Sequence, residues 1–441
     1  MPNHTADAVV VGAGVIGCAV AHALARDGLK VAVVAREGAP GLGSTSASSA
    51  IIRYNYSTLP GVATSWEGKF VWEAWEEFLG GPDDDGRVAR FHKVGSFCLD
   101  APGLAPEKVL PLFDLVGVPY EVWDAKTLRE RIPSIDVGRY FPPKPVESEE
   151  FWDDADGELG AFFMPEAGFV DDPQFAAHNL ATATRRLGGT FFFKATVTGI
   201  RRSGGRVSGV DLADGTSIDA PVVVNCAGPA SSKLNALADV NGDVTGDFNV
   251  TTRPLRNEVH YVPEPPGYTG DRVAGPVAAD LDLGTYWRGT PNGEILIGGT
   301  EPACDPMHFV EDGDDFNPGV TEEIYKAQVY RAARRFPDLT VPNRPKGIGA
   351  VYDVTDDWIP IYDRTALPGY YVAIGTSGNQ FKNAPMAGLY LARIIAASEN
   401  GHDHDADPVV VDLEHSGQRV DLSAFSRRRT VNRDSSFTVM G

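Results

Sequence analysis

"AVVVGAGVIGCAVAHALARDGLKVAVVARE", residues 8–37, decides the fold. Residues 8–12 read as a short buried strand. In the stretch that follows, Val15, Ile16, Ala19, Val20, Ala23 and Leu24 recur at helical spacing. Gly28 ends that helix, and Val31–Val34 reads as a second buried strand. Between the first strand and the helix, Gly12, Gly14 and Gly17 form GxGxxG. The first glycine allows a tight turn, the second lets a phosphate approach the backbone, and the third lets helix and strand pack closely. The helix N-terminus then faces a pyrophosphate. The triplet alone is a weak signal. Set after a strand, at the start of a helix and ahead of another strand, it is a strong one for dinucleotide binding. Gly12, Gly14, Val15, Ile16 and Gly17 are therefore expected at a cofactor. The acid that usually ends the second strand and holds the ribose is missing, because that position reads Ala35, with Arg36 and Glu37 next. Glu37 can substitute by a short shift of register, whereas Arg36 suits a 2′-phosphate, so the turn alone does not choose FAD over NADP.

At 441 residues the chain is too long for one ordinary core, and it is apolar enough to fold. A formal net charge of -21 repels nucleic acid and anionic membranes, so neither is an expected partner. Cys18, Cys98, Cys226 and Cys304 are widely spaced and show no metal spacing, which reads as free thiols in a reducing compartment. No apolar run approaches the length of a membrane span, and the few residues before the first strand leave no room for a signal peptide. The expectation is a cytoplasmic protein with no transmembrane segment. Nothing in the pattern specifies an oligomeric state.

Strand–turn–helix units of the nucleotide type recur at "VVVNCAGPAS" (222–231) and "VAIGTSGNQFKNAP" (372–385). Between them lie alternating, strand-like runs: "NEVHYV", "TYWRGT" and "EILIGGT". Helices are expected near 62–79, 106–116, 125–131, 173–187 and 319–336, and a strand at 93–100. Residues 142–159, rich in proline and acid, read as a surface insertion without a catalytic role. The expected architecture is α/β with antiparallel β: a discontinuous, Rossmann-like nucleotide domain (1–90, 160–245 and 340–441) with an interleaved antiparallel-sheet substrate domain (91–159 and 246–339).

"GSTSASSAIIR" (43–53), the 222–231 turn and the 372–385 turn, taken with the amino-terminal unit, resemble the D-amino-acid-oxidase-like FAD family. The likeness is to its branch of sarcosine oxidases, glycine oxidases and dimethylglycine dehydrogenases, and it covers most of the chain. Residues 142–159 and those after about 410 match nothing in it. The resemblance implies FAD as cofactor. It places Ser44, Thr45 and Ser46 along the flavin, Val197 at the adenine, and Ala227 and Gly228 close to the cofactor. Gly375, Gly378, Asn379, Gln380, Phe381 and Lys382 would form the loop and helix start facing the flavin pyrimidine. Arg53 stands in the register of the family arginine that clamps a substrate carboxylate, and Lys382 in that of the lysine beside it. A guanidinium fork and an ammonium point charge both suit a carboxylate. Tyr286 and Arg288 of "TYWRGT" would line the substrate pocket, and alternation sets Trp287 on the opposite face. His260 is a weaker catalytic candidate on a neighbouring strand, since a lone strand histidine is more often structural.

Departures from the family bear on the chemistry. The region of the flavin-tethering cysteine reads "GIGAVYDVTDDWIPIYD", with Ala350 nearest that site, and the 43–49 loop has no histidine. Non-covalent FAD is therefore expected. Leu296 falls where the oxygen-activating lysine of sarcosine oxidases would stand. The implied reaction is oxidation of the C–N bond of a carboxylate-bearing amine, with hydride passing to flavin N5, imine hydrolysis, and reoxidation by O2 or another electron acceptor. Rival readings are a 2-hydroxy-acid dehydrogenase, for which His260 is the only loose proton acceptor, a non-catalytic FAD-binding assembly factor or complex subunit, and an NADP enzyme.

Overall fold

A computed structural model describes residues 3–240 and 246–441. Residues 1–2 and 241–245, which fall at the edges of the expected nucleotide segments, lie outside the described residues.

Two large sheets organise the chain. The first has six strands, in the order Thr190–Phe192, Val31–Val34, Ala8–Val11, Val222–Asn225, Tyr370–Ile374 and Ile361–Arg364. All neighbours pair in parallel except the last pair. The inner strands are buried along their whole length, which is why they read as continuous apolar runs rather than alternating ones. Helices Val15–Arg26, Pro173–Arg186 and Ala384–Glu399 pack together on one face. Because the strands at 8–11, 222–225 and 370–374 are parallel, their carboxyl ends meet at one edge. The three glycine turns seen in the sequence converge there, where open α/β sheets bind ligands.

The second sheet has nine strands and is mostly antiparallel. Its centre carries Thr252–Pro263, Glu294–Gly299, Thr285–Gly289 and Val277–Asp280 side by side. Strands Ala161–Met164 and Gly347–Thr355 also join this sheet, so stretches expected to belong to the nucleotide half contribute to both. Helix Glu322–Arg335 covers one face. Its Tyr325, Val329 and Ala332 pack with Trp287, Ile295, Ile297 and Phe336 in a dry core. Trp287 is fully buried, and its indole N–H is satisfied by the Tyr268 hydroxyl at 2.7 Å, as a buried aromatic with a polar handle requires.

Several expected boundaries shift. The helix expected at 62–79 starts at Leu59, capped by the Thr58 hydroxyl, and breaks at Ala74 before a short second piece, Trp75–Phe78. Residues 142–159 are not a free surface insertion. Val146 and Phe151 are buried, the Lys144 carbonyl accepts from Arg331, and the Arg334 guanidinium lies over the Phe151 ring while donating to the Asp153 carbonyl. The segment is fastened across helix Glu322–Arg335 by that helix's own arginines. Among the described residues, no helix is long and apolar enough to cross a membrane.

Candidate functional site

The glycine turn has the shape of a cradle. A Cβ at Gly12 would lie 2.1 Å from the Cys226 carbonyl oxygen, and one at Gly17 would lie 2.0 Å from the Gly12 carbonyl oxygen. Both positions are closed to any larger residue by backbone. Around Gly14 only the Thr45 hydroxyl comes near, at 3.2 Å from a built Cβ, so its outer side is free for a ligand. Gly14 caps helix Val15–Arg26 without a side-chain bond, and the first turn holds no acid. A helix N-terminus so built suits a pyrophosphate. Thr45 is buried and accepts from the Val15 N–H at 3.0 Å, fastening the 43–49 loop to the turn. Ser44 donates to the Val351 carbonyl, and Ser46 stays within its own loop on the Gly43 carbonyl. Ser49, which the sequence reading passed over, bonds the Tyr286 hydroxyl at 2.7 Å. One short loop thus runs from the phosphate-type turn to the substrate-type sheet, the path an extended dinucleotide would follow.

Arg36 is not free for a 2′-phosphate. Asp314 grips it in a two-pronged ion pair, 2.6 Å at each nitrogen. Asp314 also takes Lys233 at 2.8 Å, and the two cations hold its carboxyl down to about 2. Glu37 stays exposed, with its carbonyl accepting from the Lys194 N–H. That bond and the Ala195–Ala35 backbone bond at 3.0 Å lay the run into Val197 alongside the Ala35–Glu37 corner, as an adenine-side position needs. Ala227 and Gly228 open the turn after Val222–Asn225, where the Ala227 N–H bonds the Asn225 side chain. The chain's residues therefore fit FAD.

A Gly17→Ala substitution, made to test this cradle, is expected to yield protein without flavin absorbance. The new methyl would force the helix off the turn, an overpacking cost of at least about 1–3 kcal/mol. Visible absorbance measures the loss of cofactor, and circular dichroism reports whether the remainder folds.

Arg53 follows strand Ile51–Ile52, which pairs with Gly168–Val170. Lys382 sits in the turn Phe381–Asn383 before helix Ala384–Glu399. The structure brings both to Tyr56. The Arg53 guanidinium lies 5.1 Å from its ring centre and the Lys382 ammonium 5.2 Å. Lys382 donates to the Tyr56 hydroxyl at 3.1 Å and to the Asn379 carbonyl at 2.7 Å, and Tyr56 donates to that same carbonyl at 2.7 Å. Arg53 donates to the Asn55 carbonyl at 3.0 Å and the Val439 carbonyl at 2.8 Å. All of these acceptors are neutral. Burial, with Arg53 adding to it, drives the Lys382 ammonium well below the usual lysine range, and burial also lowers Arg53. Arg288 is a third buried cation. It lies over the Phe169 ring at 4.4 Å, donates only to the Gly289 carbonyl at 3.3 Å, and its Nε is unbonded among the described residues. Among the described residues none of the three has an ion-pair partner. Buried cations are ordinarily matched by acids, whereas the bonded acceptors of these three are neutral.

Tyr286 and Arg288 project from one face of strand Thr285–Gly289, with Trp287 on the other, as alternation requires. A Cβ at Gly298, directly opposite Tyr286, would lie 2.4 Å from its ring, so the missing side chain makes room for the phenol. Leu296 pairs with both Arg288 and Tyr261, which puts an aliphatic chain beside the guanidinium.

His260 must be corrected. It is fully buried on the helix face of its strand, with Nδ1 on the Gln328 side chain at 2.8 Å and Nε2 3.2 Å from Glu258. It braces the sheet against helix Glu322–Arg335 and does not reach the site. Its neighbours Asn257 and Tyr261 occupy the site face instead, because side chains alternate along the strand. Gly375 and Gly378 shape the last turn, where Asp353 accepts from the Gly375 and Thr376 N–H groups and Gly378 lies against the Tyr352 ring. Asn379 holds the Trp358 carbonyl, while Gln380 is tied to Tyr362 and Asn383. The Phe381 ring stacks on Trp72 at 5.2 Å, so Phe381 offers the site backbone only.

A profile of the family described as FAD dependent oxidoreductase (DAO) matches residues 7–394. The sarcosine oxidase subunit beta of Rhodobacter capsulatus is 26% identical over 399 residues, covering 90% of this chain and 86% of the relative. FAD-dependent oxidoreductase domain-containing protein 1 of Bos taurus is 23% identical over 432 residues, covering 90% and 82%. Among solved structures, L-proline dehydrogenase from P. horikoshii superposes with a TM-score of 0.73 at 21% identity, over 90% of this chain and 95% of that one. Glycine oxidase from Geobacillus kaustophilus gives 0.69 at 21% identity, over 91% and 98%. At such identities the two structures show a shared fold.

Proposed function

Because this chain belongs to the FAD-dependent oxidoreductase family matched over residues 7–394, we propose that it oxidises the C–N bond of a carboxylate-bearing amine, an amino acid or an N-alkyl amino acid. One observation carries the reading: Arg53 and Lys382 are buried together, bonded only to neutral groups, on the side where the glycine turns and the substrate-type sheet meet. A carboxylate entering there would restore the charge balance that burial has upset. Relatives and structural neighbours named for sarcosine, proline and glycine support the substrate class.

FAD, held non-covalently, supplies the two-electron acceptor. Arg53 and Lys382 fix the carboxylate, and Tyr286 and Arg288 form the opposing wall. Trp287 and the core behind it keep that wall rigid, so the reacting C–H is held at one distance and angle. The substrate loses a hydride from carbon and a proton from nitrogen to become an imine. Water then adds to the imine, giving a carbonyl compound and an amine. O2 or another acceptor would take up the two electrons.

The alternative of a 2-hydroxy acid needs a side chain that takes the hydroxyl proton. His260, the acceptor the sequence offered for it, is packed away behind the sheet. Anaerobic mixing of the FAD-loaded protein with paired amino and hydroxy acids of equal carbon skeleton tests the choice. Loss of the visible flavin band with an amino acid or its N-methyl form, and none with the hydroxy acid, is expected; the reverse result would contradict the proposal.

A further inference from the structure

Glu301 is a half-buried acid placed where a strand should not put it. Strict alternation after Glu294–Gly299 would send it to the helix face with Ile295, Ile297 and Gly299. Its backbone is left-handed instead, with φ 50°, a costly conformation for a residue with a Cβ and one that gathers at functional sites. The carboxylate thereby reaches the site face. It accepts from the Asn257 amide at 2.8 Å and the Tyr352 hydroxyl at 3.3 Å. Among the described residues no cation pairs with it, and burial pushes its carboxyl up to about 7.

A single residue joins this unpaired acid to the unpaired Arg53. The Val439 N–H donates to Glu301 Oε2 at 2.8 Å, and Arg53 Nη2 donates to the Val439 carbonyl at 2.8 Å. That N and that carbonyl are the α-nitrogen and α-carboxyl carbon of one amino-acid unit. The separation between acid and guanidinium is therefore matched to an α-amino acid. The surrounding segment packs Met440 into the main core and lays Val439 against it, and few of its hydrogen bonds reach beyond the segment itself. Ser435, Ser436 and Thr438 bond within it, and the Gly441 carbonyl accepts from the Ser57 N–H at 3.2 Å.

We propose that Glu301 and Arg53 are the two poles of an α-amino-acid site, Glu301 taking the amine and Arg53 the carboxylate, and that the Val439 backbone occupies this site until substrate displaces it. The inference rests on the amine-oxidising reading above and adds the group that recognises the amine. An ammonium arriving at Glu301 gives up one proton: the N–H bond breaks, an O–H bond forms on the carboxylate, and the free-base amine is left beside Glu301 while the substrate carboxylate stays on Arg53. Glu301 is thus a specificity-determining residue, and residues 435–441 are a strap that competes with substrate.

The test is an anaerobic titration of the FAD-loaded protein with acetate and with glycine, reading the visible flavin spectrum. Deleting residues 435–441 is expected to lower both midpoints by about tenfold or more, since a competitor bonded through charge-assisted contacts is removed. Val439→Pro, which takes away the N–H alone, is expected to lower both by a smaller factor and serves if the deletion does not fold. Glu301→Gln is expected to weaken glycine by about tenfold while leaving acetate within about twofold, because acetate has no amine to read. Unchanged midpoints in both strap variants, or a Glu301→Gln effect equal for the two probes, would overturn the proposal. Neither midpoint requires C–N oxidation. A protein that binds glycine as expected yet is reduced by no amine would instead contradict the amine-oxidising reading.

Discussion

Replacing Arg335 by alanine is expected to lower the folding free energy by about 3–5 kcal/mol, the cost of stripping the partner from a buried charge cluster. Arg335 is the last residue of its helix and is wholly buried. It donates to Asp280 at 2.8 Å, to Asp282 at 2.8 Å, and to the carbonyls of Asp136 and Gly138 at 2.9 and 2.8 Å. Both aspartates are themselves buried, and Asp282 also accepts from the backbone N–H groups of Tyr140 and Phe141. Without the guanidinium two carboxylates would face each other out of water. Domains hold only about 5–15 kcal/mol in total, so much of the margin disappears. Even beside Arg335, burial and Asp280 push the Asp282 carboxyl up to about 6. Loss of Arg335 raises the Asp282 carboxyl further above its unfolded value of about 3.9. A folded-state value above the unfolded one favours the native state only while the group is protonated. The deficit is therefore expected to be small near pH 4 and to grow as pH rises through 6 and beyond. Denaturant midpoints at several pH values measure it.

Replacing Arg53 by methionine is expected to lower kcat/KM for a carboxylated amine by about 10- to 100-fold, the worth of one or two charge-assisted hydrogen bonds. Methionine keeps much of the volume and removes the charge. The flavin should stay bound, because Arg53 stands away from the glycine turn. An amine lacking the carboxylate should react equally poorly with both proteins, which separates loss of a substrate contact from loss of structure. Arg53→Lys is expected to recover little, since an ammonium lacks the planar fork that now reaches two carbonyls at once. Steady-state rates with both amines decide it.

The nucleotide half was legible because its signals are local. A strand, a turn of fixed glycine spacing and a helix all lie within residues 8–37, and backbone collisions at Gly12 and Gly17 explain the spacing. Arg53, Lys382, Tyr286 and Arg288 were all named through family resemblance, and alternation added only that the last two share a face. What alternation cannot supply is which face of a sheet meets the ligand. His260 was the residue named on that strand, and the buried helix face claimed it, while Asn257 and Tyr261 lie on the other face. Glu301 escaped because one left-handed residue reverses the expected face, and no short sequence pattern announces it. Tyr56 was within reach: it stands three residues after Arg53, close enough to share its environment. The roles of 142–159 and 435–441 are long-range pairings, with Arg331 and Arg334 in one case and Arg53 and Glu301 in the other. Sequence spacing carries no record of such contacts.

The central claim is that buried cations beside a flavin hold the carboxylate of an amine while its C–N bond is oxidised. Stopped-flow reduction of the FAD-loaded protein under anaerobic conditions tests it directly, comparing glycine, N-methylglycine and proline with methylamine, dimethylamine and pyrrolidine. The expected result is bleaching of the visible flavin band by at least one carboxylated amine, at a rate about 10-fold or more above its counterpart without the carboxylate. Equal rates for the paired amines, or a flavin that none of the carboxylated amines reduces, would contradict it.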